Sequence, residues 1–193
     1  TSFIVMQEAD YGKIDDVPQT PVNSDLSATE TANCYIVNVA GDFSFDASVV
    51  GNGAKGIIEG GRFHIDEDEV EITPASVKVA WCQNECISDV RLDAAAKRVS
   101  FKSSGNRGNA LIVASDASGD VLWSWHIWCT NLPLDVTHNS AGKSFTLMDR
   151  NLGAVSLNPN EWQKTQGLFY QWGRKDPFIP SADLAGSVER NPD

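Results

Sequence analysis

The sequence predicts an all-β fold of antiparallel strands, packed as a sandwich or barrel, ahead of a small C-terminal segment of different texture. Three observations carry this. Short β-branched or aromatic runs recur about every 8 to 12 residues with turn residues between them. The longest, Val121 to Thr130 (VLWSWHIWCT), follows a buried-strand run, Ala110 to Ala114 (ALIVA), across the turn residues Asp116 to Asp120. Before residue 150 the one helix-like stretch is Asp93 to Lys97 (DAAAK), which reads as a turn between strands.

Residues 1–28 form a polar lead-in, with Pro18, Pro21, Asn23, Ser24 and Asp25 clustered as in a linker. The β-domain spans 29–132. Its first strand begins at Cys34-Tyr35-Ile36-Val37, which is β-branched and partly alternating. Gly41 and Asp42 turn the chain, and Phe43-Ser44-Phe45 alternates again. Val77 to Trp81, Ser88 to Leu92 and Val99 to Phe101 follow the same period of two. Ala110 to Ala114 is apolar throughout, as a strand buried on both faces would be. In the returning strand, Val121, Trp123, Trp125, Ile127 and Cys129 share one face, and Leu122, Ser124, His126, Trp128 and Thr130 share the other. Residues 133–193 hold few strong apolar runs, too few to bury a core of their own.

The formal net charge of −11 repels phosphate backbones, so nucleic acid and anionic membranes are poor partners. No run reaches the roughly 18 apolar residues of a membrane span. Thr1 to Met6 is too short for a signal peptide and has no basic flank, so export has to be argued indirectly.

Four cysteines permit three pairings. Cys82 and Cys86, in WCQNEC, are close enough to close a local loop. Cys34 and Cys129 sit in strand-like runs and suit a bridge between distant strands. Buried free thiols are the alternative, since cysteine packs as a small hydrophobe. A zinc site would need a second close pair or a nearby histidine, and neither is present.

Other motifs dissolve on inspection. Gly51 to Gly56 matches G-x-G-x-x-G, but Gly60 and Gly61 follow where a helix must start, so the reading is a glycine-rich turn. Ser140 to Lys143 matches S-x-x-K without its partner elements and reads as a loop. The acidic run Asp66 to Glu71 lacks a calcium-loop spacing and reads as a solvated edge. His64, His126 and His138 are scattered, and His126 reads as a packed, hydrogen-bonded histidine rather than a general base. No metal, cofactor or catalytic residue is expected. Trp123, Trp125, Trp128, Trp162, Phe169, Tyr170 and Trp172 suit either a core or a sugar-stacking platform, and the regular alternation favours the core.

Four strings in order carry a resemblance: Thr31 to Val37 (TANCYIV) with Gly41 to Phe45 (GDFSF) and Gly51 to Gly53 (GNG); Leu122 to Trp128 (LWSWHIW); Met148 to Ala154 (MDRNLGA); and Gly167 to Phe178 (GLFYQWGRKDPF). Together, over roughly residues 29 to 178, they resemble fimbrillin-like cell-adhesion surface proteins of Bacteroidetes-type bacteria. The resemblance implies an immunoglobulin-like antiparallel β-sandwich over 29–132. It also implies an α+β segment over 133–193 that is the partial opening of a lectin-like unit of the C-type architecture. It implies no enzyme. The expected role is a noncatalytic, extracytoplasmic surface module of a cell-adhesion or pilus-associated protein, anchored at the outer membrane in its full-length form. Its expected partners are a host surface protein or glycan, or other pilus subunits. The alternative is a carbohydrate-binding module, with Trp162, Tyr170 and Trp172 as the stacking residues.

Overall fold

The computed structural model of the protein describes residues 19–54 and 70–179. Lys55 and Gly56 of the glycine motif, His64, the carboxylates Asp66 to Glu69 and most of the lead-in fall outside them. The described residues form two compact units, one within Pro21–Cys129 and one holding Gln19, Thr20 and the chain from Thr130 onward.

Among the described residues, the first unit is a seven-stranded sandwich. One sheet has the order β1 (Cys34–Val37), β7 (Val121–Cys129), β6 (Gly108–Ser115), β3 (Ser76–Cys82). The other has the order β2 (Gly41–Asp46), β5 (Arg98–Ser103), β4 (Ile87–Asp93). The pairs within each sheet are antiparallel except β1, which runs parallel to β7. Strands β2, β5 and β4 take the places of B, E and D in an immunoglobulin sandwich, and β3, β6 and β7 those of C, F and G. The difference from the constant-type arrangement is β1, which joins the β7 edge instead of β2.

Alternation builds the core. In β2, Phe43 and Phe45 point inward while Ser44 does not, and in β5 Val99 and Phe101 face them. From the opposite sheet come Tyr35, Val37, Ala110, Ile112, Ala114, Trp125 and Ile127. Phe45 lies 5.1 Å from Trp125 and 4.9 Å from Tyr35, centroid to centroid. The indole Nε1 of Trp125 is buried without an acceptor, which costs about 1–3 kcal/mol and is offset by the ring's burial.

The second face of the β7–β6 layer is closed too. Every residue of β6 is buried, as the unbroken ALIVA run predicts, and so are Ser124, His126 and Trp128 of β7. A register shift between Val79 and Trp81 breaks the period of β3. Val77 and Cys82 therefore pack against the inter-sheet core, while Trp81 turns to the other face, 6.5 Å from the His126 ring. Val121 is exposed despite its place in the alternation, because it sits where the register with β6 slips at the strand's start.

Turns behave as their residues dictate. Asp93 accepts from the amides of Ala95 and Ala96 and closes the DAAAK turn, with Lys97 at φ 50°. Asp116 accepts from the amides of Ser118 and Asp120 in the β6–β7 turn, so its carboxylate serves the backbone. Gly51 and Gly53, at φ 56° and 68°, form a tight turn.

In the second unit, β8 (Asp135–Ser140) and β9 (Lys143–Met148) form a hairpin. Its two-residue turn is Ala141-Gly142, both at positive φ, so the S-x-x-K match is a hairpin loop. A 3-10 turn (Pro159–Glu161), capped by Asn158, whose side chain accepts from the Asn160 amide, leads into the short helix α1 (Trp162–Thr165). The MDRNLGA and GLFYQW strings meet here. The Leu168 amide donates to the Leu152 carbonyl at 3.0 Å, and a Cβ on Gly153 would strike the Leu168 side chain.

Replacing Trp125 with alanine is expected to cost about 3–5 kcal/mol in a urea titration, and Trp125→Phe clearly less because the orphaned N–H goes with the indole.

Candidate functional site

Three groupings of side chains bear on function. The first lies on the second face of the β1–β7–β6 layer. Parallel pairing puts Cys34 opposite His126, and antiparallel pairing brings β6 alongside. Cys34 Sγ is 3.2 Å from His126 Nδ1, His126 Nε2 is 2.9 Å from Asn109 Oδ1, and Asn109 Nδ2 donates to Gln83 Oε1 at 2.8 Å. One proton arrangement satisfies all three contacts: the thiol donates to Nδ1, and Nε2–H donates to the Asn109 carbonyl.

Thiol, imidazole and amide in this order are the nucleophile, base and orienting group of a cysteine hydrolase. The electrostatics oppose that use. Burial pushes the Cys34 thiol up to about 12, so the thiolate that would attack is scarce at neutral pH. His126 and Asn109 are buried on strands, at 5% and 2% exposure. The chain works as the polar satisfaction of a closed face, which matches the expectation of a packed histidine.

The second grouping holds the other three cysteines. Cys82 ends β3, and Cys86 precedes β4 across the turn Gln83-Asn84-Glu85, with Asn84 and Glu85 at φ 52° and 50°. Their sulfurs are 3.7 Å apart, and Cys129 Sγ lies 3.8 Å from the Cys86 carbonyl oxygen. All four cysteines are free thiols. The proximity expected of Cys82 and Cys86 from their spacing is present, since their sulfurs do meet. A Cys34–Cys129 bridge is excluded: Cys34 pairs with His126 while Cys129 pairs with Val37, three positions further along the ladder and on the other face. Cys129 instead joins Cys82 and Cys86.

The third grouping lies in the C-terminal unit. The amides and carbonyls of Phe169 and Phe178 exchange hydrogen bonds at 2.9 and 2.8 Å, closing the intervening chain into a loop. Gly173, at φ 80°, turns its tip, where Arg174 N donates to Gln171 O. Trp172 beside it is 93% exposed, and Tyr170 in the same loop is 45% exposed. Trp162, at the start of α1, is 58% exposed. The aromatics thus divide: alternation correctly puts Trp125 and Trp128 in the interior, whereas Trp162, Phe169, Tyr170 and Trp172 lie outside any strand period and face solvent. Nearby, a hollow of about 360 Å³ is lined by Asp149, Arg150, Asn151 and Ser156 among others. Its Arg150 guanidinium already binds both carboxylate oxygens of Asp149 and the Thr130 hydroxyl.

No residue of the Cys34–His126–Asn109 chain is marked by spacing in the sequence, because parallel pairing of β1 with β7 assembles it across 92 residues. No family model, no curated protein and no solved structure matches the chain.

In the folded protein, iodoacetamide alkylation of Cys34 should accelerate about tenfold per pH unit between about pH 7 and about pH 9, as for a thiol titrating far above that range. A rate that levels off within that interval would reveal an activated thiolate instead.

Proposed function

We propose that this chain is a noncatalytic, extracytoplasmic surface module with a cell-adhesion or pilus-associated, fimbrillin-like role. Its C-terminal unit presents aromatic side chains to a host surface protein or to another surface subunit. The observation that carries this reading is Trp172, 93% exposed on a loop closed by the Phe169–Phe178 bridge. A tryptophan held in water on a loop of fixed ends offers large apolar area at little ordering cost. Such anchors typically contribute about 2 kcal/mol or more when a partner buries them.

Two further features support the reading. The one nucleophile–base–amide chain among the described residues has its thiol held in the protonated form. The ordered resemblance of the four strings points to surface adhesion proteins, which the net charge of −11 suits by discouraging non-specific contact with anions.

The exposed Trp162 and Tyr170 favour a second reading, a carbohydrate-binding module in which these rings and Trp172 stack on sugar faces. Arrays of glycans and of host surface proteins, probed with the wild-type chain and with Trp172→Ala, separate the two. Retention on proteins supports adhesion by protein contact, and retention on glycans supports the second reading. In either case Trp172→Ala should weaken binding at least about tenfold while leaving the urea midpoint unchanged, as expected for an exposed anchor. Wild-type binding that survives Trp172→Ala intact would contradict both.

A further inference from the structure

We propose that Cys82, Cys86 and Cys129 form a thiol–disulfide exchange site, in which Cys82 attacks an incoming small-molecule disulfide, Cys86 resolves the adduct, and Cys129 can reopen the product from the core side.

The fold holds these sulfurs together. The turn between Cys82 and Cys86 is pinned on several sides: Gln83 N donates to Asn109 O at 2.8 Å, Cys86 N donates to Gln83 O, Asn84 Nδ2 donates to Arg107 O at 2.9 Å, and Ser104 Oγ donates to Glu85 O at 2.9 Å. Gly108 of β6 lies directly beneath; a Cβ there would sit 2.5 Å from Gln83 O and 3.2 Å from Cys86 Sγ. The turn is therefore seated on a strand that leaves room for the Cys86 sulfur.

The three thiols differ in access. Cys82 is half-buried, whereas Cys86 and Cys129 are buried. Cys86 is the shared centre: its sulfur lies 3.7 Å from Cys82 Sγ, and its carbonyl oxygen lies 3.8 Å from Cys129 Sγ. The Cys86 thiol holds Cys82 well below the ordinary thiol range, aided by backbone hydrogen bonds from Ile87 and Cys86 and opposed by burial and Glu85. Its contacts with Cys129 and Cys82, together with burial, push Cys86 in the opposite direction. The most accessible thiol is thus also the most nucleophilic form at neutral pH.

The chemistry balances with a small-molecule disulfide, RSSR, as oxidant. The Cys82 thiolate bonds one sulfur of RSSR, the S–S bond breaks, and RS⁻ leaves to take up the proton Cys82 had released. Cys86 then bonds the Cys82 sulfur and expels the second RS⁻, which takes the Cys86 proton. Two protein thiols lose two electrons, and RSSR becomes two RSH. Attack of Cys129 on the Cys86 sulfur moves the bond to Cys86–Cys129 and returns Cys82 as a thiolate, which takes the Cys129 proton, with no net redox change.

The test uses limiting oxidised glutathione, quenching by alkylation and peptide mass mapping. The first adduct should appear on Cys82, at least about tenfold faster than on Cys34. Both Cys82–Cys86 and Cys86–Cys129 disulfides should follow in the wild-type protein, and Cys82–Cys86 alone in Cys129→Ser. Cys86→Ser should trap glutathione on Cys82; should that variant not fold, the wild-type time course gives the same ordering. A first adduct on Cys34 or Cys129, or no adduct on Cys82 under conditions where the urea-unfolded chain reacts at every cysteine, would overturn the proposal.

Discussion

The contact between Phe45 and Trp125 joins the two sheets at their centre, and the sandwich is organised around it. Phe45 reaches it because Gly41 to Asp46 alternates, and Trp125 because Val121 to Cys129 does. Tyr35 stacks on Phe45 with ring centroids 4.9 Å apart, and Phe101 lies 6.5 Å from it. The four buried rings Tyr35, Phe45, Phe101 and Trp125 exclude water from the space between the sheets. The orphaned Trp125 N–H is tolerable only inside so large a burial.

Because β6 and β7 are covered on both faces, the polar side chains on their second face have to satisfy one another. That constraint accounts for the Cys34–His126–Asn109–Gln83 chain. Each member donates to the next, and an unsatisfied group in that layer would cost more than any single hydrogen bond contributes. Chain that is not held in the two sheets carries the exposed rings, and the loop from Phe169 to Phe178 holds the most exposed of them. The thiol cluster lies where the turn that carries the chain from β3 in one sheet to β4 in the other meets the end of β7.

Much of this was legible in the sequence. Strand positions followed from period-two alternation, and the doubly buried β6 from the unbroken ALIVA run. What was hidden depended on pairing across long separations. Nothing in the order of residues says that β1 joins β7 in parallel, so neither the Cys34–His126 contact nor the failure of a Cys34–Cys129 bridge was visible. The bulge in β3 was equally silent, since Val77, Val79 and Trp81 alternate perfectly on paper. The C-terminal aromatics were misjudged by extending to them an alternation that holds only inside strands; Trp162 begins a helix and Trp172 sits at a glycine turn.

Native-state amide hydrogen exchange tests the central claim most directly. If β6 and β7 form a layer closed on both faces around Trp125, their amides should exchange only through global unfolding and be the slowest in the protein, with the β8–β9 hairpin exchanging through local openings. Exchange of the Asn109 to Ala114 and Ser124 to Trp128 amides as fast as that of the hairpin would mean that the layer opens readily to solvent, and would contradict a sealed sandwich.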